Sequence, residues 1–385
     1  MTEILRIWIQ EYRRILSDAG VVLIVLGAII VYPIVYPIPY AHEVLTDVPV
    51  AVVDQDHTAL TRRLTRMIDA GELIRAAARP ANFEEARASF FSGEVNGILV
   101  IPHDFTRKVM GGQQANIAAY SDAAYFLIYR QALTGILRSA GTMSAGIAVK
   151  RLRAGGLSEN QALAARDPVP LISNPLYNPA AGYASYVVPA VLVLILQQTL
   201  LIGVGMLAGT ARERQAAEGF PELIPSTGPV KTVLGRAGAY FSLYLVYAIY
   251  FFGVLFRLYE YPQRGHLLTV LIYMLPFLLA IVFLALALST AFRNRETSML
   301  ALLFTSIPVL FLSGFSWPIE AMPGWLRVVS LLLPSTAGIS GFLRVQIMGA
   351  ELGDVAFEWL VLWGLSGLYF LFACLSIKRI AARKP

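Results

Sequence analysis

Six long apolar blocks, separated by charged segments, constrain this chain more than any other feature of its sequence. A helix needs about 20 apolar residues, at roughly 1.5 Å each, to cross the hydrocarbon core of a bilayer. The predicted spans are Val21–Tyr40, Tyr183–Gly209, Thr232–Phe256, Leu267–Phe292, Ser298–Phe315 and Val355–Ile377. A long segment of ordinary polarity separates the first from the second. The sequence therefore predicts an α-helical polytopic membrane protein with six transmembrane helices in a 1+5 arrangement.

The overall composition agrees with a membrane location. Of the 385 residues, 57% are hydrophobic and only 15% are charged, and the mean hydropathy is +0.62. Soluble proteins carry about 25% charged residues. This composition excludes a disordered chain, a nucleic-acid-binding domain and most cytosolic enzymes. The single cysteine, Cys374, cannot form an internal disulfide.

Residues 1–40 are predicted to form an interfacial helix followed by the first span. Apolar residues from Ile4 to Leu16 alternate with charged ones at a spacing typical of a helix in the inner membrane interface. Prolines at 33, 37 and 39 predict that the span stops or kinks near its far end. A signal peptide is the alternative, but the charged leader is long and no A-x-A site follows. We interpret the span as an uncleaved anchor.

The distribution of Lys and Arg predicts the orientation, because cytoplasmic segments carry the excess of positive charge. With a cytoplasmic N-terminus, the short outside loops hold four basic residues, Arg257, Arg264, Arg327 and Arg344. The inside segments hold thirteen: Arg6, Arg13, Arg14, Arg212, Arg214, Lys231, Arg236, Arg293, Arg295, Lys378, Arg379, Arg383 and Lys384. Both termini are therefore predicted on the cytoplasmic side of the membrane, with the large polar segment on the other side.

Residues 41–180 are predicted to fold as a small extracytoplasmic α/β domain, because strand and helix patterns alternate. The predicted strands are 48–53, 97–101 and 116–120. The predicted helices are 58–70, 83–94 behind an Asn82–Glu85 capping box, 124–153, and a short one capped by Ser158 and Gln161. The remaining residues, 181–385, form the predicted five-helix membrane domain.

The sequence contains no catalytic constellation. No segment fits the G-x-x-x-x-G-K-[S/T] phosphate loop, so any ATP hydrolysis must come from another chain. His42 and Asp47 have an H-x4-D spacing that a membrane-bound acyl or glycosyl transferase could use, but the spacing is common by chance and a polar juxtamembrane linker explains it better. The other histidines show no metal-ligand spacing, and Asp54 with Asp56 fits a polar turn. No cofactor or metal is predicted in this chain.

Few polar side chains occur within the predicted spans. The span centres contain essentially no ionisable residue, which disfavours an ion-driven transporter. Gln197 and Gln198 lie in the second span, and a tyrosine stripe at positions 240, 244, 247 and 250 follows one flank of the third. Helix packing explains these side chains, and a pathway lined by Gln197, Gln198, Tyr240, Tyr244 and Tyr247 is the functional alternative.

The loop after the second span carries the first family resemblance. It begins Ala211-Arg-Glu-Arg, continues through Glu218 to Pro225, and is followed by Gly235-Arg236. This pattern resembles the first cytoplasmic loop of ABC-2 type transporter permeases, the segment that touches the ATPase. The resemblance implies an ATPase-coupling loop formed by Arg212, Glu213, Arg214, Glu218, Pro225, Gly235 and Arg236.

A second stretch, from Ser313 to Leu326 and on to Pro334, resembles the "S-G-x-x-x-P-x-x-x-M-P-x-W" region of the same family. There it forms an outer re-entrant hairpin, here expected at about 316–350. Prolines that divide the apolar run into short pieces agree with this prediction. The residues that carry it are Gly314, Pro318, Met322, Pro323, Trp325 and Pro334. The Tyr120–Tyr129 and Tyr177–Pro189 stretches also resemble the outer domain of the family's exporter branch.

Together these resemblances imply the permease subunit of an ATP-binding-cassette exporter. The implied partners are a separate ATPase subunit that binds ATP and Mg²⁺, a second permease copy or close paralogue, and the lipid bilayer. A periplasmic adaptor leading to an outer-membrane channel is a further hypothesis, and no nucleic acid is expected. The transferase and a signalling receptor remain the alternatives, although the inside segments are too short to fold a receptor's output domain.

Overall fold

The computed structural model describes the backbone of residues 2–218 and 227–382, with side chains at 3–216 and 227–380. The chain divides into two compact units. The first, here called the membrane unit, comprises Met1–Glu43 and Pro175–Pro385. The second, the inserted unit, comprises Val44–Asn174.

The elements of the described part follow in chain order. The helices are α1 (Thr2–Ser17), α2 (Ala19–Tyr40), α3 (Ala59–Asp69), α4 (Phe83–Phe91), α5 (Phe105–Met110), α6 (Phe126–Ala154), α7 (Glu159–Arg166), α8 (Tyr183–Glu218), α9 (Pro229–Leu258), α10 (Leu267–Ser289), α11 (Arg295–Leu312), α12 (Gly324–Leu331), α13 (Pro334–Gln346) and α14 (Ala356–Ala382). The strands are β1 (Val48–Asp54), β2 (Ile74–Ala78), β3 (Gly97–Ile101) and β4 (Ala118–Ser121).

Six described helices are long and apolar enough to cross a membrane: α2, α8, α9, α10, α11 and α14. Their positions agree with the six predicted blocks, but several ends differ. The fourth span ends at Ser289 rather than Phe292, and the fifth at Leu312 rather than Phe315. Large apolar side chains on α11, such as Phe304 and Phe311, are exposed, as expected of a surface that meets lipid or another subunit.

Helix α10 forms the centre of the membrane unit. It packs against α8, α9, α13 and α14, and it is apolar on all sides, which is typical of a fully buried helix. Two glycines of α13 fit against its aromatic rings: Gly338 lies against Phe277 and Gly341 against Tyr273. The buried Tyr273 hydroxyl donates a 2.7 Å hydrogen bond to the carbonyl of Ala337.

The inserted unit contains a four-stranded sheet in the order β2-β1-β3-β4. Strand β1 is parallel to both β2 and β3, whereas β4 is antiparallel to β3. One face of the sheet packs on α3, α5 and α6, and the other face packs on α4. The alternation of strands and helices that the sequence predicted is therefore present.

Some predicted bounds in this unit were wrong. Helix α4 ends at Phe91 instead of Glu94, because Ser92 caps it and Gly93 takes a positive φ of 79°. Strand β4 covers 118–121 rather than 116–120, and α6 begins at Phe126 rather than 124. Strand β2 and the short helix α5 were not predicted.

Candidate functional site

The C-terminal end of α8 carries the first residues of the predicted coupling loop. The helix has 36 residues and so is about 54 Å long, well beyond the roughly 30 Å hydrocarbon core. Near this end, Gly209 allows α11 to approach closely. A Cβ atom at Gly209 would lie 2.6 Å from the backbone nitrogen of Arg295. The missing side chain thus brings α8 against the start of α11.

Arg212 binds the end of α10. Its guanidinium donates two 2.7 Å hydrogen bonds, to the carbonyls of Thr290 and Phe292. Thr290 is the C-cap residue of α10, where carbonyls have no partner within the helix, so a basic side chain satisfies one of them and interacts favourably with the helix dipole. Phe292 lies in the turn that follows. Arg212 therefore fixes the turn between α10 and α11 to α8.

Glu213 binds the other side of the same turn. Its carboxylate accepts the backbone N–H of Arg295, at 2.9 Å, in the first turn of α11. Acidic groups are favourable at this end of a helix. We call Arg212 and Glu213 together the turn clamp. Both were predicted for ATPase contact, but these hydrogen bonds are made within the chain.

Three further residues of the predicted coupling loop are Arg214, Glu218 and Pro225. Arg214 is exposed, and Glu218 is the last residue of α8. The side chain of Glu218 and all of Pro225 lie outside the described residues.

Gly235 and Arg236 pack against α1. A Cβ atom at Gly235 would lie 2.7 Å from that of Ile7, and one at Gly238 would lie 2.6 Å from the ring of Trp8. The buried carboxylate of Glu11 pairs with Arg236, with its oxygen 3.5 Å from Nε. One face of the predicted interfacial helix is thus buried on α9.

The residues predicted to line a pathway fall into two environments. Tyr240 is fully buried and donates a 3.1 Å hydrogen bond to Glu11, so it belongs to the contact between α1 and α9. Tyr244 donates to Thr199, at 3.1 Å, and its ring contacts Tyr247 edge-on.

Other buried polar groups on α8 and α9 make no hydrogen bond with the described residues. The Tyr247 hydroxyl, the Gln197 carbonyl and both amide atoms of Gln198 are buried without a hydrogen-bond partner among the described residues. We call Gln197, Gln198, Thr199, Tyr244 and Tyr247 the polar stripe of α8 and α9. Because leaving buried polar groups unpaired is costly, this stripe is the strongest candidate for a path within the described spans.

The predicted hairpin region folds into two helices, α12 and α13, which meet at 85°. Gly314, with a φ of 80°, lies against Ile319 and starts the approach to α12. The prolines mark helix starts: Pro318 and Pro323 precede a short 3₁₀ turn and α12, and Pro334 is the first residue of α13. Met322 is buried and Trp325 is exposed. Tyr186 of α8 donates a 2.9 Å hydrogen bond to the carbonyl of Phe315.

Sequence reasoning missed the contacts of three acidic residues, Glu11, Asp18 and Glu43. Asp18 binds Arg295, and Glu11 binds Arg236 and Tyr240. Glu43 accepts hydrogen bonds from the Ser185 backbone and hydroxyl, at 3.1 and 2.7 Å, at the start of α8. The one available signal was Asp18 followed by Ala-Gly at the start of a span, the pattern of a helix N-cap.

The aspartates that follow β1 are bound within the inserted unit. Asp54 accepts the Thr61 hydroxyl at 2.7 Å. Asp56 accepts the backbone N–H of Thr106 and the Thr58 hydroxyl, each at 3.1 Å. Within the described residues no group of three or more His, Cys, Asp or Glu could hold a metal ion. The side chain of His42, suggested for a transferase, is exposed.

Acidification is expected to weaken the contact between Asp56 and α5. Burial raises the pKa of Asp56, but hydrogen bonds from Thr106 and Thr58 outweigh it and hold the pKa below its ordinary value of 3.8. The carboxylate therefore stabilises the fold above the ordinary pKa, and this contribution is lost as the pH falls through the lower folded value. The protection factor of the Thr106 amide hydrogen, which corrects for the intrinsic pH dependence of exchange, should fall on acidification in the natural chain but not in Asp56→Asn. Equal pH dependence in both would contradict this.

Comparisons with known proteins agree with the architecture. A profile described as "ABC-2 family transporter protein" matches residues 19–375. The chain is 22% identical to the probable multidrug ABC transporter permease YbhR of Escherichia coli K12, over 94% of both chains. It is 23% identical to the inner membrane transport permease YhhJ of the same strain, over 98% of both. It is 27% identical to the permease YbhS over 45% of this chain and 46% of the relative. The chain belongs to the ABC-2 family of transporter proteins and is a membrane-spanning permease.

Proposed function

We propose that the chain is the membrane subunit of an exporter, which moves its substrate outward with ATP hydrolysed by a separate nucleotide-binding subunit. The chain lacks a phosphate loop, so ATP and Mg²⁺ would bind to that partner. The length of α8 is the observation that supports the proposal most directly. It extends the Arg212 end beyond the hydrocarbon core, where a soluble ATPase can reach it.

In this proposal the exposed end of α8 contacts the ATPase. Arg214 is exposed and Glu218 follows one turn later on the same face, as expected of residues four apart. Arg212 and Glu213 would not contact the ATPase themselves. They would act as positioning residues that transmit the displacement of α8 to the turn between α10 and α11. ATP-dependent closure would then bias the helices between two arrangements.

The proposed orientation rests on the charge distribution. Thirteen basic residues beside the spans on the proposed cytoplasmic side, against four in the short loops on the other, favour cytoplasmic termini in a bacterial inner membrane, with the inserted unit outside. The α12–α13 hairpin would lie at the outer surface. The substrate path would follow the polar stripe in a pair of permease copies or close paralogues. The name of YbhR, a probable multidrug permease, makes amphipathic drugs a reasonable first substrate class to test.

A mild-detergent pull-down of the tagged chain from native membranes tests the function. A nucleotide-binding subunit should co-purify with the natural chain. Reversing the charge of Arg214 to Glu, together with Glu218→Lys, should weaken its recovery by roughly tenfold, if these two polar contacts contribute about 1.4 kcal/mol. Recovery is measured by immunoblot and ATP hydrolysis.

The control is Arg379→Glu, a charge reversal at another exposed basic residue, near the end of α14. It should leave ATPase recovery unchanged. Equal recovery with all three chains would refute the contact residues but not the function. No ATPase with the natural chain, in a complex that stays intact, would refute the proposed function.

A further inference from the structure

A single guanidinium joins three helices in the membrane unit. Arg295, the first residue of α11, contacts the carboxylate of Asp18 at 3.0 Å and the hydroxyl of Thr210 at 3.3 Å. Asp18 directly precedes α2, and Thr210 lies on α8. The first, second and fifth candidate spans therefore meet at one side chain.

Asp18 has two structural roles. It is almost fully buried, and its carboxylate caps α2 by accepting the backbone N–H groups of Gly20 and Val21, each at 3.1 Å. Burial raises its pKa, but these hydrogen bonds and Arg295 outweigh burial and lower it. The carboxylate is thus charged at neutral pH, and the pair with Arg295 is an ion pair.

Two glycines make room for Arg295. A Cβ atom at Gly20 would lie 1.8 Å from the Nη2 atom of Arg295, and one at Gly209 would contact its backbone. Any other residue at position 20 would push the guanidinium away from Asp18. Glycines on both neighbouring helices therefore leave room for this contact, although only at Gly209 would a side chain meet backbone atoms.

The ion pair extends the turn clamp to α2. Glu213 holds the Arg295 backbone, whereas Asp18 holds its side chain. A displacement of α8 reaches Arg295 through Glu213, Thr210 and the close backbone contact at Gly209. Ion pairs between partly buried groups are shielded less by salt than exposed ones.

We propose that the Asp18–Arg295 pair is a positioning link that transmits ATP-driven movement of the α8 end to the first span. The inference rests on the proposed function, because the ATPase would supply that movement. Without the link, the ATPase would still bind and hydrolyse ATP, but α2 would no longer follow α8.

The test uses the full complex with its ATPase subunit, reconstituted in lipid. Cys374, the only cysteine, is replaced by alanine, and spin labels are attached at Tyr32→Cys on α2 and Val246→Cys on α9. Both positions are exposed. The distance between the labels is measured by pulsed electron resonance with and without ATP and vanadate. In the doubly labelled chain with Asp18 and Arg295 intact, the distance between the labels should change when ATP and vanadate are added.

Asp18→Asn separates the two roles of Asp18, because the asparagine carbonyl still caps α2 but carries no charge. The fraction of molecules whose label distance changes with ATP and vanadate should fall roughly fivefold, a factor at the lower end of those typical of allosteric coupling. Arg295→Gln should behave in the same way, whereas Arg295→Lys should restore part of the shift. Glu3→Gln, which removes the exposed ion pair with Lys231, should leave the shift unchanged.

Gly20→Ala provides a second route if Asp18→Asn does not assemble, because it keeps both charges and the cap while displacing the guanidinium. A full shift in Asp18→Asn and Gly20→Ala, with ATP hydrolysis retained, would overturn the link. A bound, active ATPase that causes no shift of α2 in the natural pair would also overturn it. Failure of the natural chain to bind an ATPase would instead refute the proposed function.

Discussion

Replacing Glu11 by alanine is expected to lower the free energy of unfolding by about 3 kcal/mol, as for other broken buried ion pairs. The Glu11 carboxylate is 4% exposed, pairs with Arg236, and accepts the Tyr240 hydroxyl. Its removal takes away a buried carboxylate that pairs with a largely buried guanidinium and binds a buried hydroxyl. The loss should appear first as detachment of α1 from α9, because an edge helix unfolds before the core.

Two measurements check this prediction. The melting temperature of the purified chain in detergent should fall by several degrees, and trypsin should cleave faster within α1, after Arg13 or Arg14. Glu3→Ala is the matched control, because it removes a carboxylate from the same helix that pairs with Lys231 on the exposed surface. It should cost at most about 1 kcal/mol. The prediction fails if the two variants melt and digest alike.

The sequence was sufficient to predict the six candidate spans and the strand–helix alternation, because both depend on local composition and periodicity. It did not predict β2, whose Ile-Arg-Ala-Ala-Ala segment has little strand preference of its own and gains its conformation by pairing with β1. The predicted end of the fourth span was wrong for a related reason. The chain turns at Thr290, where Arg212 from another helix binds the last carbonyls.

The roles of the candidate site residues were harder to predict. The motif grouped Arg212, Glu213, Gly235 and Arg236 into one loop. In the folded chain the first two bind a turn about 80 positions away, and the last two bind α1. Such contacts depend on which helices pack together. That packing depends on glycines, and a single sequence does not indicate which residues pack against them. Asp18 and Arg295 are 277 positions apart, so their pairing could not be read from spacing.

Replacing Gly209 by valine is expected to lower the free energy of unfolding by about 3 kcal/mol, the upper range for overpacked sites. The new Cβ atom would meet the backbone nitrogen and Cα of Arg295, at 2.6 and 2.7 Å, rather than a movable side-chain tip. Helices α8 and α11 would have to separate. Arg212 and Glu213 would then lose their hydrogen bonds to the turn, so stability and proposed coupling should fail together.

Gly367→Val is the matched control, because it makes the same substitution in α14, where a Cβ atom meets nothing within 4 Å. It should be close to neutral, since valine has a slightly better helix propensity than glycine. Detergent melting curves of the two variants compare the steric cost directly. Double variants with Arg212→Ala separate the effect of packing from that of the turn clamp. If the valine at position 209 displaces Arg212, then Arg212→Ala should lower the unfolding free energy little further in the Gly209→Val chain. In the Gly367→Val chain it should cause its full loss of unfolding free energy. Additive losses in both backgrounds would show that Arg212 keeps its carbonyl partners without the Gly209 contact, and the clamp would not depend on this glycine.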